Sequence, residues 1–135
     1  MNEFKIVIAD DHPMFLEGIK NSLMANCDSL FVADASDYIE LFSLLEHESD
    51  DIDLILMDLH MPGAESEIGI HYIRKLYPEI PLVVLSAHDT IDVKLKCLKC
   101  GASDFLSKSL KVEDLVEKVQ SILNGAYQYP ISPNG

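Results

Sequence analysis

The strongest constraint on the fold of this chain is a series of five short apolar segments, each followed by a stretch with helical spacing. The segments are nearly continuous in apolar residues, which is typical of strands buried on both faces of a parallel sheet. They occupy residues 5–9, 30–33, 53–57, 81–85 and, more weakly, 104–106. The pattern therefore predicts five strands that lie side by side with both faces covered.

Apolar residues recur every three or four positions after each segment, which predicts an amphipathic helix behind every strand. The faces that we expect to be buried are Phe15, Leu16, Ile19 and Leu23; Tyr38, Leu41, Phe42 and Leu45; Tyr72, Ile73 and Leu76; Ile91, Leu95 and Leu98; and Val112, Leu115, Val116, Val119, Ile122 and Leu123. Pro13 suits the first turn of a helix, and Gly101 and Gly125 suit helix ends. A strand–helix unit repeated five times predicts an α/β fold, (βα)5, with a five-stranded parallel sheet doubly wound into a three-layer sandwich.

Length and charge exclude several classes of protein. The 135 residues suffice for one domain, and 23 acidic against 10 basic residues give a formal net charge of −13. Nucleic acid and anionic membranes repel such a polyanion, and no apolar run approaches the roughly 18 residues of a spanning helix. Three cysteines, an odd number, argue against a secreted disulfide framework. We therefore expect a cytoplasmic protein that does not bind DNA or membranes by itself.

Polar side chains follow four of the predicted strands at the point where each ends. Asp10 and Asp11 follow the first strand, Asp58 the third, Ser86 the fourth and Lys108 the fifth. Ligands of open parallel sheets bind at the carboxyl ends of the strands, so we expect these groups to lie together. Confined carboxylates need a cation to stay ionised, and Mg²⁺ prefers such oxygen ligands. Lysine and serine can contact phosphoryl oxygens, and a central carboxylate can form an aspartyl-phosphate. The set predicts a Mg²⁺-dependent, phosphoryl-accepting site.

Four separated sequence blocks also carry a family resemblance. They read IVIADDHP at 6–13, LMDLHMPG at 56–63, VLSA at 84–87 and GASDFLSK at 101–108. In this order and strand context they resemble the CheY-like receiver domain of bacterial two-component response regulators, over residues 4 to about 124. The resemblance implies the flavodoxin-like (CheY-like) form of the predicted fold.

The first block also resembles a particular subfamily. Its Asp-Asp-His-Pro opening, together with Gly18 and the serine that follows Lys108, is similar to NarL/LuxR-type regulators. In that subfamily the receiver precedes a helix-turn-helix DNA-binding domain. The resemblance implies a receiver domain over 1–125 and, over 126–135, a tail or truncated linker to an output domain that is absent from these residues.

The resemblance implies roles for the acidic residues. Asp58 would be the phosphoacceptor. Asp10, Asp11, Asp58 and the backbone carbonyl of His60 would hold Mg²⁺, with Asp11 as a direct ligand and Asp10 acting mainly through water.

Further roles follow for residues around the acceptor. Ser86 and Lys108 would contact the phosphoryl oxygens. Phe105 would be the switch aromatic, turning as the loop after the fourth strand shifts. His60 and His88 each stand two positions after a site residue, so we expect them to border the cleft and tune phosphorylation or hydrolysis rates.

The resemblance also implies partners. The phosphoryl donor would be a sensor histidine kinase or a phosphotransfer protein. Phosphorylation would favour a homodimer, formed through the fourth and fifth helices or the first and fifth, and DNA would be bound only by the C-terminal output domain. The chain is then a signalling domain that transfers the group to its own Asp58, and not an enzyme acting on a separate substrate.

Other functions remain open at this point. A stand-alone receiver would serve as a phosphorelay or protein-interaction module. A phosphatase with an aspartyl nucleophile would want a second aspartate two residues later, where His60 stands. A flavodoxin-like electron carrier would want a phosphate-binding loop after the first strand, where Asp10 and Asp11 would repel a phosphate.

Three potentially reactive residues have structural interpretations. His12 is expected only to begin the first helix. Cys97 and Cys100 form a C-x-x-C motif, but it lies at the end of the predicted fourth helix and no second such motif completes a zinc site. We expect Cys97 to be buried as packing.

The path of the loop after Asp58 is left open by the sequence. Five residues, Ala64 to Ile68, stand before Gly69, which predicts either an extended loop over 63–69 or a helix that begins early with Glu65 and Glu67 in its first turn. We expect the third helix, between Gly69 and Pro78, to be short.

Overall fold

The fold is given by a computed structural model that describes residues 3–88 and 90–130. The elements are, in chain order, β1 (Phe4–Ala9), α1 (Pro13–Asn26), β2 (Leu30–Ala35), α2 (Tyr38–Glu48), a 3₁₀ turn (Ser49–Asp51), β3 (Leu54–Asp58), α3 (Ser66–Leu76), β4 (Leu82–Ser86), α4 (Ile91–Cys100), β5 (Asp104–Ser107) and α5 (Val112–Leu123). The strands pair in parallel in the order β2-β1-β3-β4-β5. The predicted (βα)5 doubly wound sheet is therefore confirmed.

The strand order reverses between β1 and β3, which creates a crevice at their carboxyl ends. Ala9 pairs with Met57, so the residues that follow them, Asp10 and Asp58, leave neighbouring strands side by side. Ser86 pairs with Ser107, so β4 and β5 also end level with each other. The register of the sheet thus aligns the predicted site residues along one edge.

Two apolar clusters cover the sheet, because alternate strand residues point to opposite faces. Every residue of β3 and β4 is buried. One cluster joins the sheet to α2, α3 and α4 through residues such as Leu41, Ile70 and Cys97. The other joins it to α1 and α5 through residues such as Ile19 and Val119. Within the described residues, no helix has both the length and the apolarity needed to span a membrane.

The start of α3 differs from the expectation of a short helix. The helix runs from Ser66 to Leu76, with Glu65 at its N-cap and Glu67 in its first turn, so the early-start alternative is correct. Gly69 lies inside this helix and does not precede it. Of the face predicted to be buried, Ile73 is buried, whereas Tyr72 and Leu76 are 47% and 49% exposed. Ile70, which was not predicted, is also buried.

The inner face of α4 also differs from the prediction. Ile91 and Leu95 are 74% and 45% exposed, and of the predicted face only Leu98 is buried. The helix instead turns Val93, Cys97 and Cys100 toward the core. These three residues have the same helical spacing as the predicted set but are smaller, so their size allows α4 to approach α3 and the sheet closely.

The ends of α4 and α5 agree with the sequence. Gly101 ends α4 with φ of 116° and Gly125 follows α5 with φ of 76°, both in the left-handed region that favours glycine. Residues 126–130 carry no helix or strand. The rest of the predicted tail, 131–135, lies outside the described residues.

Candidate functional site

The crevice at the carboxyl ends of β1, β3 and β5 brings two predicted carboxylates and the predicted lysine together. Nζ of Lys108 lies 2.8 Å from Oδ2 of Asp10 and 3.3 Å from Oδ1 of Asp58. The backbone supports this position, since the amide of Lys108 donates to the carbonyl of Ser86 at 2.9 Å. Nζ also lies 4.6 Å from the ring centroid of Phe15, a cation–π contact that sequence reasoning did not predict.

The carboxylates of this crevice differ in exposure. The side chains of Asp10 and Asp58 are 0% and 4% exposed, whereas that of Asp11 is 33% exposed. Burial raises the pKa of Asp58, the charge of Asp10 raises it further, and Lys108 acts in the opposite direction. One lysine thus balances two buried carboxylates incompletely, so ionisation of Asp58 is less favourable than that of an aspartate in water.

His12 also belongs to this cluster, although the sequence suggested only a helix start. Its Nδ1 lies 2.9 Å from Oδ1 of Asp10, 3.1 Å from Oδ1 of Asp11 and 3.7 Å from Oδ2 of Asp58. The backbone amide of His12 donates to Oδ1 of Asp10 at 2.8 Å, which turns the chain back over β1. Asp10 stands two residues before His12, and this spacing was the sequence signal that could have predicted the position of the imidazole.

The chemistry of this cluster suits a divalent cation. Asp10, Asp11, His12 and Asp58 offer ligand atoms that all lie within 4.8 Å of one another. Oδ2 of Asp58 is buried and accepts no hydrogen bond from any of the described residues. A buried carboxylate oxygen without a partner is costly, and a cation among these oxygens would satisfy it. The residues present therefore fit a metal with hard oxygen ligands.

Ser86, at the end of β4, is fully buried but bonds to its own loop. Its hydroxyl donates to the carbonyl of His88 at 3.0 Å and accepts from the His88 amide at 2.9 Å. The rings of His60 and His88 meet edge to face with their centroids 5.6 Å apart. These exposed imidazoles connect the loop after β3 with the loop after β4.

Phe105 of β5 points into the protein. It is 5% exposed and packs in the cluster shared by the sheet with α2, α3 and α4. In this conformation the aromatic ring occupies the inward position, next to core residues such as Val84 of the neighbouring strand.

The thiols of the C-x-x-C motif lie in the second half of α4. Cys97 is buried as predicted, and burial followed by the neighbouring Cys100 raises its pKa to about 11. Burial also raises the pKa of Cys100. Both thiols are therefore protonated near neutral pH, which does not favour a redox or metal-binding role.

Comparison with known proteins agrees with this architecture. A glycerol metabolism activator from Pseudomonas putida is 37% identical over 127 residues, covering 94% of this chain and 57% of that protein. The transcriptional regulatory protein DegU from Brevibacillus brevis is 35% identical over 130 residues, covering 96% of this chain and 54% of that protein. The chain thus spans little more than half the length of these curated relatives.

A solved structure shows the same fold in a related protein. The crystal structure of a two-component response regulator of the LuxR family from Aurantimonas sp. SI85-9A1 matches with a TM-score of 0.82 at 26% identity, covering 98% of this chain and 92% of that chain. The response regulator receiver domain family itself matches residues 6–120, which include the whole cluster around Asp58. The chain therefore belongs to the response regulator receiver domain family, and its similarities include NarL/LuxR-type members.

Proposed function

We propose that this chain accepts a phosphoryl group on Asp58 from a phosphohistidine of a sensor histidine kinase or of a phosphotransfer protein. The observation that carries the proposal is the position of Lys108, which lies within 2.8 Å of Asp10 and 3.3 Å of Asp58. Beside it stands an oxygen of Asp58 that is buried and has no hydrogen-bond partner among the described residues. A central carboxylate next to a fixed positive charge is the arrangement that phosphoryl acceptance requires.

The transfer step follows from these positions. A carboxylate oxygen of Asp58 attacks phosphorus in line with its bond to the donor imidazole. A phosphorus–oxygen bond forms, the phosphorus–nitrogen bond breaks, and its electron pair stays on the imidazole, which takes a proton from solvent. Nζ of Lys108 is within hydrogen-bonding range of the acceptor and can neutralise charge on a phosphoryl oxygen.

We propose that Asp10, Asp11, Asp58 and the backbone carbonyl of His60 hold Mg²⁺ for this reaction. Of Asp10 and Asp11, Asp11 is the direct ligand, because its carboxylate is exposed enough to reach an ion. Asp10 is engaged by Lys108 and acts mainly through water. Mg²⁺, when bound, supplies charge neutralisation for the equatorial phosphoryl oxygens.

The switch that follows transfer is proposed for Ser86 and Phe105. The hydroxyl of Ser86 is held by the backbone of His88, so it must leave those hydrogen bonds to reach a phosphoryl oxygen. That movement would shift the loop after β4 and change the room available to Phe105. The His60 and His88 rings lie in the loops that would move, which supports a role in setting phosphorylation or hydrolysis rates.

The whole protein is proposed to control transcription. We propose 1–125 as the receiver and 126–135 as a tail or a truncated linker to a DNA-binding helix-turn-helix output domain. The relative DegU, by its name a transcriptional regulatory protein, supports the link to transcription. Phosphorylation would favour a homodimer through α4 and α5 or through α1 and α5. Exposed Ile91 and Leu95 on α4 supply apolar surface for the first of these interfaces.

The acceptor is tested by intact mass after incubation with Mg²⁺ and acetyl phosphate. We expect a gain of one phosphoryl group in the wild type and in Asp28→Asn, which changes an exposed carboxylate outside the crevice. Asp58→Asn should show no gain, and Asp11→Asn should show a gain only at much higher Mg²⁺. No gain in the wild type, or a gain that survives Asp58→Asn, would refute the proposal.

A further inference from the structure

We propose that His12 is a nitrogen ligand of the divalent cation in this crevice and shifts its selectivity from Mg²⁺ toward transition ions such as Ni²⁺ and Co²⁺. The inference rests on the proposed function for the existence of the cation site. It adds one residue to that site and predicts which ion the site prefers.

The distances around the imidazole of His12 support its role as a ligand. Nδ1 of His12 lies 2.9 Å from Asp10 Oδ1 and 3.1 Å from Asp11 Oδ1. Two ligand atoms that share an ion at about 2.1 Å stand roughly 3 Å apart when they occupy adjacent octahedral positions. The imidazole nitrogen is therefore separated from the oxygen of Asp11, the proposed direct ligand, as a second ligand of the same ion would be.

The backbone also holds the imidazole of His12 in this position. The His12 amide donates to Asp10 at 2.8 Å, and Pro13 begins α1 directly after it. His12 occupies the N-cap position, yet within the described part of the chain its side chain makes no capping hydrogen bond. The ring thus does not serve the helix and faces the carboxylates instead.

The neighbours of His12 Nδ1 have conflicting hydrogen-bonding requirements. Nδ1 also lies 3.2 Å from Nζ of Lys108. An ammonium group only donates, so Nδ1 can face Lys108 only with its lone pair, whereas it can face Asp10 or Asp11 only with a proton. A cation held by the carboxylates would remove the conflict, because it would bind the lone pair of Nδ1 and leave the ring proton on Nε2.

Asp58 gives an independent indication that this cluster suits a cation. Oδ2 of Asp58 is buried, accepts no hydrogen bond from the described residues and lies 3.7 Å from Nδ1 of His12. A cation held by Asp58 and His12 would satisfy both atoms.

The consequence is selectivity. Carboxylate, carbonyl and water oxygens suit Mg²⁺, whereas an imidazole nitrogen raises affinity for the later first-row ions in the order Co²⁺, Ni²⁺ and Cu²⁺. A site with three carboxylates and His12 should therefore favour Ni²⁺ over Mg²⁺ more strongly than the same site without the imidazole.

The test measures binding of MgCl₂ and of NiCl₂ to the metal-free chain by isothermal titration calorimetry. His12→Asn should weaken Ni²⁺ binding by about tenfold or more, the scale on which metal-site residues act, and change Mg²⁺ binding by less than about twofold. His71→Asn, which removes an exposed imidazole on α3, is the matched control and should alter neither. Co²⁺ gives a second readout, because loss of a nitrogen ligand shifts its visible absorption bands.

The outcomes separate this inference from the proposed function. If Asp11→Asn abolishes binding of both ions while His12→Asn changes neither, the cation site exists and His12 is not its ligand. Equal weakening of both ions in His12→Asn would overturn the selectivity. If Asp11→Asn leaves both affinities intact, the proposed cation site itself is wrong.

Discussion

A Cβ atom on Gly69 would stand 2.4 Å from Cε1 of Tyr38. Tyr38 is fully buried beneath α3, and its hydroxyl donates to the carbonyl of Leu59 at 3.3 Å. Burial raises the pKa of Tyr38 to about 12, so the phenol stays neutral under the helix. Glycine lowers helix propensity, but here it allows α3 to approach an aromatic ring directly.

The first prediction concerns this contact. Gly69→Ala should lower the free energy of unfolding, because overpacking costs about 1–3 kcal/mol and outweighs the gain of about 1 kcal/mol from alanine in a helix. Gly18→Ala is the control: it is exposed in α1, and no heavy atom of its described neighbours would lie within 4 Å of the new Cβ. It should raise stability by about 0.5–1 kcal/mol. Urea denaturation measures both, and stabilisation of both variants would contradict the contact.

Gly69 illustrates which features of the fold could be predicted from the sequence and which could not. The strands and the polar residues at their ends were predictable, because buried runs and their termini are local features. Gly69 suggested a late start for α3, but the helix begins before it. The reason for a glycine at this position is a three-dimensional contact with Tyr38, which the sequence does not show. The inner face of α4 was mispredicted because two apolar sets share its helical spacing, and only packing against α3 selects the one that contains Cys97.

The cluster around Asp58 shows a similar division. Sequence position predicted that Asp10 and Lys108 would meet at one edge of the sheet, as their 2.8 Å separation shows. It did not predict His12, because the direction of that side chain depends on a turn made by its own amide with Asp10. Local sequence thus indicates which strand ends converge but not how each side chain turns there.

A second prediction concerns Arg74 at the end of α3. Its guanidinium is half-buried and donates to the carbonyl of Gly101 at 2.8 Å, to that of Pro78 at 2.8 Å and to the hydroxyl of Ser103 at 3.1 Å. Arg74→Lys cannot reproduce this planar set of donors and should lower the free energy of unfolding by about 1–3 kcal/mol. Lys75→Ala, at the exposed neighbouring position, should change it by less than about 0.5 kcal/mol. Equal effects in thermal denaturation would argue against the role of Arg74.

A third prediction concerns the stability cost of the acceptor. Because the pKa of Asp58 is raised on folding, the folded state loses stability as pH rises from the ordinary carboxyl range through that raised value. Asp58→Asn removes this loss and should stabilise the metal-free protein at pH 7 by on the order of 1 kcal/mol. Its stability should also depend less on pH in the acid range.

Denaturation with and without Mg²⁺ checks this third prediction. Mg²⁺ should stabilise the wild type and the Asp28→Asn control but much less the Asp58→Asn variant, since a ligand stabilises only the state that binds it. A metal-free Asp58→Asn variant that is less stable than the wild type would mean that the ion pair with Lys108 outweighs the burial of the carboxylate.

The last prediction concerns the segment after α5. The hydroxyl of Tyr127 donates a hydrogen bond to Oδ2 of Asp104, a buried carboxylate whose Oδ1 accepts from the Phe105 amide at 2.7 Å. Burial, followed by Asp104, raises the pKa of Tyr127, so its hydroxyl stays protonated as a donor at neutral pH. The ring packs 5.1 Å from that of Tyr129, centroid to centroid. The start of the tail is therefore attached to the edge strand β5, one residue before the proposed switch aromatic.

Tyr127→Phe should release this attachment. Oδ2 of Asp104 would lose a charge-assisted bond, which lowers the free energy of unfolding by about 1.5–3 kcal/mol. Residues 126–130 should also gain mobility on the picosecond-to-nanosecond scale, seen as lower heteronuclear NOE values. Tyr129→Phe keeps the aromatic packing and leaves the bond to Asp104 in place, so it should change neither quantity measurably. If Tyr127→Phe leaves the NOE values of 126–130 unchanged, the hydroxyl does not hold the tail, and packing of the Tyr127 ring accounts for its position.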